Sequence, residues 1–400
     1  MTLLHPTRLA SFQKMQEHNW VSHLLNRICP QAVQPNIQEY QNIQTALMTG
    51  DRQMDPVIDW VMENPKKNRQ AFETALFQGL DALKQREPVL ENFFHHIEQK
   101  PTWLSDEKLT HAIEFTHRLG DTHGFVLRDL ALMLGYLYPG LNQPLIMTGA
   151  LSKPGNLRLA ETTKWWLDVT EPRGLERFSK GFTSTIYVRF IHAIIRLQLQ
   201  KMGKWNSKIW GIPINQFDMA LTNTAFSHVV LLGIRTLGIF PTQQDTDSFL
   251  HLWHYLGWLM GVDETWLGET ESHGWRLLYW LKYTHPQADE SSIALASNLA
   301  NEPFARNYLH NKEVQQHVAY KQHLSMSKFF LGKKRLQRLG IEYPEKPWFS
   351  YYVLMRNIIL HSGVKRISPL NRLMVRYGRQ QQLNEFHNYH TDVKKLASMH

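Results

Sequence analysis

The chain has 400 residues, a formal net charge of +9 and a single cysteine, Cys29. One cysteine excludes a disulfide framework and a cysteine-based metal site within the chain. The excess of basic residues favours an anionic partner, such as an acidic lipid, an anionic cofactor or nucleic acid. Because no nucleic-acid-binding module signature occurs, we do not expect nucleic acid among the partners.

The N-terminal twenty residues lack the apolar core of a secretory signal. No run of about eighteen uncharged apolar residues predicts a transmembrane helix, and the most apolar stretch, 229–240, is short and contains Arg235. We therefore expect a cytoplasmic protein. Basic residues are concentrated at 332–338 and continue to 379, which leaves peripheral contact with a membrane open as an interpretation.

Apolar residues recur at intervals of three and four along most of the chain, which predicts an all-α fold. In chain order, the strongest helical patterns cover 55–64, 69–86, 105–120, 185–196 and 245–262. Proline, glycine and polar residues predict loops at 98–103, 138–144, 152–156, 284–292 and 343–348.

Composition divides the chain into three predicted regions. Residues 1–50 are rich in Gln and Asn and read as an N-terminal extension, and residues 50–340 contain the candidate functional motifs. Residues 341–400 are predicted to form a C-terminal helical extension that ends in a polar tail.

The stretch "TIYVRFIHAIIR" (185–196) contains three basic side chains among mostly apolar residues. On a helix, Arg189, His192 and Arg196 share one face, and a helix that is apolar nearly all round is buried. Two buried arginines need anionic partners, and their charges would keep His192 neutral and able to bind a metal. Bound haem would satisfy all three residues. The pattern equally allows a core histidine bonded to a carbonyl, with the arginines paired to distant Asp or Glu.

A second stretch, "NLRLAETTKWWLDV" (156–169), places Arg158 and Thr162 four residues apart, with Glu161 beside them. In an apolar setting these groups would polarise bound oxygen or relay protons. The pattern also fits a structural helix that is capped by Asn156 and carries an exposed Arg158–Glu161 pair.

Other metal-binding patterns are incomplete. Glu-x-x-His occurs at 114–117, but a di-iron carboxylate bundle needs two copies and no second copy is found. The pairs "HLWH" (251–254) and "HNYH" (387–390) have no evident carboxylate as a third ligand. These patterns do not predict a zinc or di-iron site.

Several motifs occur in a characteristic order: "PTWLSDEKL" (101–109), "YPGLNQPLIMTGALS" (138–152), "RLAETTKWW" (158–166), "VRFIHAIIR" (188–196), "WGIPINQFDMALTNTAFS" (210–227) and "LHLWHYLGWLMGVDETWL" (250–267). This series resembles the haem b oxygenases of the rubber oxygenase (latex clearing protein) and MpaB type. The resemblance covers roughly residues 50–340. It implies a globin-like helical core with additional N- and C-terminal helices, haem b as the cofactor, and His192 as the proximal iron ligand.

The resemblance also implies a distal side on which Arg158 and Thr162 stabilise bound oxygen. Where rubber oxygenases carry a lysine before the threonine, this chain has Glu161, and the position nearest by spacing to their distal glutamate is Asn142. The implied function is oxygenation of a long apolar substrate, isoprenoid or unsaturated lipid, with dioxygen. Two alternatives remain: a non-catalytic haem- or lipid-binding protein, and a cofactor-free basic helical scaffold that docks through residues 332–379.

Overall fold

The computed structural model describes residues 6–17, 36–149, 155–363 and 368–389. Cys29, the side chain of Asn156, the basic residues at 364–366 and the tail beyond 389 lie outside this description. Within it, the α-helices in chain order are α1 Phe12–Glu17, α2 Ile37–Ala46, α3 Met54–Glu63, α4 Pro65–Gln78, α5 Pro88–Glu98, α6 Asp106–Arg118, α7 Asp121–Phe125, α8 Met133–Gly135, α9 Pro139–Met147, α10 Gly155–Val169, α11 Lys180–Lys201, α12 Ser207–Trp210, α13 Gln216–Phe226, α14 His228–Thr236, α15 Gln243–Leu259, α16 Glu271–Thr284, α17 Glu290–Asn301, α18 Lys312–Arg338, α19 Trp348–Gly363 and α20 Ser368–Tyr389.

Short non-α turns complete the list. A π-helical segment, Val126–Leu132, joins α7 to α8, and 3-10 turns form at Leu80–Ala82, Glu264–Trp266 and Glu302–Ala305. No β-strand occurs among the described residues, so the all-α prediction is confirmed.

Two predicted elements differ from the structure. The helix predicted over 69–86 ends at Gln78, because Gly79 takes a φ of 95° that ends the helical path. The loop predicted over 138–144 is wrong, since α9 occupies Pro139–Met147. Pro139 stands in the first turn, where its fixed φ suits a helix and its missing N–H costs nothing.

The chain forms two compact units. The first comprises Met1–Glu107, Glu171–Asn223 and His251–His285. Its centre is α3, which packs against α4, α5 and α11. The largest side chains there are aromatic: Phe72 stacks on Phe190 at a ring separation of 4.2 Å, and Phe93 and Phe94 pack edge to face.

The second unit comprises Lys108–Thr170, Thr224–Leu250 and Pro286–His400. Its π-helical segment packs against α14 and α18, and α10 packs against α20. Helix α20 extends well into the polar C-terminal region and buries Arg379, Gln382, Phe386 and Tyr389. Helix α20 continues as far as Tyr389.

One apolar stretch, Gln216–Thr236, has the length and composition to cross a membrane. Within the structure 67% of its apolar window is buried, which is also typical of a core helix in a soluble protein. Ser227 separates α13 from α14 within this stretch.

Candidate functional site

Helix α11 positions the three basic residues of the 185–196 stretch. Ser179 caps the helix, since its side chain accepts a hydrogen bond from the Phe182 backbone N–H. Ile186, Phe190 and Ala193 form a buried face, and the helix packs against α3 and α4 of the first unit.

His192 is the one residue of this stretch whose hydrogen-bonding capacity is left unused. Its Nδ1 is enclosed and has no hydrogen-bond partner in the described part of the chain, whereas Nε2 is not among the enclosed atoms. Burial, and after it the charge of Arg196, lower the pKa of His192 to about 4, against an opposing contribution from Asp51. The imidazole is therefore neutral at physiological pH, the form that binds a metal. Burial is thus a larger cause of the neutral ring than the arginine charges expected from the sequence.

Arg189 is paired with Asp51, which directly precedes the first turn of α3. Its Nε and Nη2 donate to the two carboxylate oxygens at 2.6 and 2.7 Å, and its Nη1 donates to the Leu259 carbonyl. Both side chains are buried. Burial raises the pKa of Asp51, but the charge and hydrogen bonds of Arg189 outweigh it and lower that pKa overall.

Arg196 is paired with Asp55, one helical turn beyond Asp51. Its remaining N–H groups donate to the backbone carbonyls of Pro213 and Ile214 at 3.2 and 2.9 Å. The Asp55 carboxylate also accepts the backbone N–H of Asp51. The two ion pairs thus form one connected cluster beside His192.

Two glycines make room for this cluster. A Cβ at Gly261, which has a φ of 83°, would lie 2.2 Å from the Asp51 carboxylate and 2.5 Å from Arg189 Nε. A Cβ at Gly50 would lie 2.2 Å from the Asp55 carboxylate. The side-chain amide of Gln216 donates to the backbone carbonyls of both glycines, at 2.8 and 2.9 Å. Glycine at positions 50 and 261 therefore allows the two backbone segments to lie close to the ion pairs.

These contacts match the alternative that the 185–196 stretch left open, in which distant carboxylates neutralise both arginines. A role for Arg189 and Arg196 toward the carboxylates of a cofactor stays a prediction. Sequence reasoning missed Asp51 and Asp55 as partners. Their spacing of four in "DRQMD" places two carboxylates about one turn apart, but nothing in it identifies the arginines that they meet.

Helix α10 carries Arg158, Glu161 and Thr162 and belongs to the second unit, whereas His192 belongs to the first. Arg158 donates to the hydroxyl of the buried Tyr136, and its guanidinium also lies 5.9 Å from the centre of that ring. Tyr136 therefore holds this arginine. No Arg158–Glu161 ion pair forms, so the exposed pair considered above is absent from the described residues.

Thr162 and Glu161 are less constrained. The Thr162 hydroxyl donates to the Arg158 carbonyl at 3.1 Å, so both residues lie on one face of α10, and the Thr162 side chain is exposed. Glu161 is half-buried. Both side chains are accessible to a ligand. Their roles toward oxygen and protons stay predictions.

Asn142 is hydrogen-bonded to neighbouring groups of the protein. It is buried, and its amide donates to the Tyr136 carbonyl at 2.9 Å and reaches the Ser292 hydroxyl at 3.3 Å. Asn142 therefore supports the same tyrosine that holds Arg158.

His123 is a buried residue that the sequence analysis did not select. It stacks on Trp166 at a ring separation of 4.5 Å, and neither ring nitrogen has a hydrogen-bond partner in the described part of the chain. Burial lowers its pKa to about 3. No sequence signal identifies it, since a histidine after a helix start is common.

The two histidines of the 251–254 motif make different contacts. The Nε2 of His251 accepts the Ser105 backbone N–H at 3.0 Å, and its Nδ1 then donates to Glu269 at 2.7 Å. His254 packs on Trp103 at a ring separation of 4.2 Å. The described residues contain no group of three or more His, Cys, Asp or Glu suited to a metal ion, and His390 of the other motif lies outside them.

Comparisons with known proteins identify the family and a solved structure with the same fold. Residues 122–359 match the family described as "ER-bound oxygenase mpaB/B'/Rubber oxygenase, catalytic domain". A solved structure of "Latex Clearing Protein LCP in the closed state" superposes with a TM-score of 0.64 over 84% of this chain and 91% of that one, at 16% identity, and thus shares the fold. No curated protein matches the chain. Because the family match spans more than half of the chain and includes both α10 and α11, the protein belongs to the mpaB and rubber oxygenase catalytic-domain family.

Proposed function

We propose that the protein is a haem b-dependent oxygenase that oxidises or cleaves a carbon–carbon double bond in a long apolar substrate, an isoprenoid or an unsaturated lipid. The oxygenase class follows from the family. The cofactor and the substrate class are our proposal, and they rest on the residues of α10 and α11.

The observation that carries the proposal is the state of His192. A core histidine normally has a hydrogen-bond partner on at least one nitrogen. Here Nδ1 has no partner among the described residues, Nε2 is not enclosed, and a pKa of about 4 keeps the ring unprotonated. These are properties of an imidazole that is prepared to bind iron through Nε2, so the residues present fit the cofactor.

The neighbouring ion pairs would hold that ligand in place. Arg189–Asp51 and Arg196–Asp55 connect α11 to α3, so the helix has little freedom to rotate about its axis. A fixed imidazole loses less entropy when it binds a metal. In this proposal the two arginines act on the cofactor through His192.

On α10, Arg158 would donate hydrogen bonds to dioxygen, and the carboxyl of Glu161 would accept or deliver a proton. The Thr162 hydroxyl would also donate to dioxygen after turning its one proton away from the Arg158 carbonyl. The hydrogen bond from Arg158 to Tyr136 would orient the guanidinium. Haem b would supply the redox chemistry when bound, as cofactors do in oxygenases.

A non-catalytic haem- or lipid-binding protein is the second candidate, and the environment of Asn142 favours it. A buried amide bonded to the Tyr136 carbonyl cannot act as a base. If Glu161 does not act as the base in place of Asn142, the protein would bind the cofactor without turning over a substrate.

The test is a visible absorption spectrum of the purified full-length protein after haem supplementation, oxidised, then reduced, then exposed to carbon monoxide. We expect a Soret band that shifts at both steps. A protein that stays colourless would contradict the cofactor assignment. Oxygen uptake with polyprenyl and unsaturated lipid substrates then separates the two candidates, because a non-catalytic protein shows the spectrum without uptake.

A further inference from the structure

Helix α19 of the second unit presents apolar side chains on both sides. Its inner side buries Phe349 and Val353, and Asn357 there donates to the Leu237 carbonyl at 3.0 Å. Its outer side exposes residues at successive intervals of three, one, three and four, which lie on one helical face: Trp348, Tyr351, Tyr352, Met355 and Ile359. Ile359 is 66% exposed. Tyr351 and Tyr352 contact the rings of Phe329 and Phe349, but at least half of each tyrosine stays exposed.

Helix α20 continues the exposed apolar surface. Leu370, Leu373 and Tyr377 are exposed at intervals of three and four, and Tyr377 is 65% exposed. Both helices contact α7, since Arg356 of α19 donates to Asp121 at 2.8 Å and α20 packs against α7. We call the eight exposed apolar residues of the two helices the apolar face.

The apolar face lies in a strongly basic segment. Residues 347–384 contain six Lys and Arg and no Asp or Glu. Arg356 and Arg379 are held by Asp121 and by the Leu167 carbonyl, respectively. Arg372 and Arg376 are exposed on α20 one turn apart, beside Leu373 and Tyr377, and form no ion pair with any described residue.

We propose that the apolar face docks onto an anionic lipid surface, with α19 and α20 lying in the interfacial plane. Trp and Tyr favour the boundary between hydrocarbon and headgroups, and basic side chains beside them attract acidic lipids. An exposed apolar surface of this extent marks a binding surface in soluble proteins.

The positive charge beside the apolar face favours an anionic lipid surface over a second copy of the chain as its partner. A two-fold dimer would place each apolar face against itself. The same symmetry would bring two sets of unpaired arginines together without a single carboxylate from the segment, and like charges at an interface repel. An anionic bilayer supplies both the hydrocarbon and the negative charge.

The test is flotation of the purified full-length protein with vesicles of phosphatidylcholine, alone or mixed with phosphatidylglycerol. We expect the protein to float with the mixed vesicles, and salt to weaken the binding. Replacing Arg372→Gln and Arg376→Gln together should reduce binding about 30-fold, from about tenfold per 1.4 kcal/mol and about 1 kcal/mol per basic residue. Replacing Ile359→Ser and Leu373→Ser together should reduce it about 100-fold.

Matched variants control for general effects of charge and hydrophobicity. Lys66 and Lys67 are exposed neighbours in the first unit, and Lys66→Gln with Lys67→Gln should leave binding unchanged. Ile37 and Met202 are exposed apolar residues outside the apolar face, and Ile37→Ser with Met202→Ser should also leave it unchanged. Circular dichroism checks that every variant stays helical.

Three outcomes would overturn the proposal. In the first, the protein floats with neither vesicle type. In the second, it binds both types equally and the arginine variant is unaffected. In the third, sedimentation reveals a dimer that the Ile359→Ser, Leu373→Ser variant dissociates, and no vesicle is bound. The measurement needs no haem, so its failure is distinct from a failure of the oxygenase proposal.

Discussion

Arg189 and Asp51 form a buried bidentate ion pair three residues from His192, with N–O distances of 2.6 and 2.7 Å. The pair joins α11 to the start of α3, where the same carboxylate accepts the Met54 backbone N–H at 3.0 Å. One side chain thus neutralises the arginine and caps the helix that α11 packs against.

Arg189→Met should destabilise the protein by about 3–5 kcal/mol, because it leaves the Asp51 carboxylate buried without a countercharge. The double variant Asp51→Asn, Arg189→Met should recover most of this loss, since an asparagine preserves the cap. Denaturant unfolding of the four proteins of this cycle measures the coupling.

The same cycle separates a structural role of Arg189 from direct contact with a cofactor. If the arginine acts through His192, the double variant retains haem. Loss of haem from a double variant of near-normal stability would show that the guanidinium itself is needed.

His192→Ala should abolish haem retention and leave a largely helical protein, because the proposed iron ligand is removed while the core of α11 is kept. Haem content is measured from the absorption of the purified, supplemented protein. His254→Ala is the matched control, since that histidine also lies in the first unit and lacks hydrogen bonds on both ring nitrogens among the described residues. Unchanged absorption in the His192 variant would exclude this residue as the ligand.

Arg158→Ala should retain haem but weaken oxygen or cyanide binding, because the proposed donor to the distal ligand is lost. We expect roughly tenfold, the effect of one charged hydrogen bond of about 1.5 kcal/mol or more. Tyr136→Phe keeps the arginine but removes its anchor, so it should produce a smaller change in the same direction. Ligand titrations of the ferrous and ferric forms measure both, and equal affinities in all three proteins would remove Arg158 from the distal side.

Stability should fall as the pH drops below 6.5. Burial lowers the pKa of His123 from its ordinary value of 6.5 to about 3, and that of His192 to about 4. Between pH 6.5 and these lowered pKa values, the unfolded chain binds protons that the folded chain does not. The free energy of unfolding therefore rises with pH in that range. The loss of stability begins below pH 6.5 and continues toward about pH 4 for His192 and about pH 3 for His123.

His123→Phe should reduce this pH dependence by about one proton. It should also stabilise the protein by about 1 kcal/mol at neutral pH, because phenylalanine keeps the stacking on Trp166 and removes two unpaired ring nitrogens. Denaturant midpoints at several pH values test both expectations. An unchanged pH slope would mean that another group binds the proton.

Local pattern was enough to predict much of the fold. Apolar spacing indicated an all-α protein, and the helical patterns at 105–120 and 245–262 correspond to α6 and α15. Both helices end just before a glycine with positive φ, Gly120 and Gly261. The pattern was wrong where a proline began a helix, at Pro139, and where Gly79 ended one early. In both places the outcome depends on one backbone torsion, which composition alone does not determine.

The sequence by itself determined which residues carry the candidate chemistry, because α11 and α10 are helices whose spacing places Arg189, His192 and Arg196 on one face and Arg158 and Thr162 on another. Only the tertiary structure decided their partners. Asp51 lies 138 residues from Arg189 and Asp55 lies 141 from Arg196, so no local rule connects them. Burial, the main cause of the lowered pKa of His192, likewise exists only once distant segments pack around the ring.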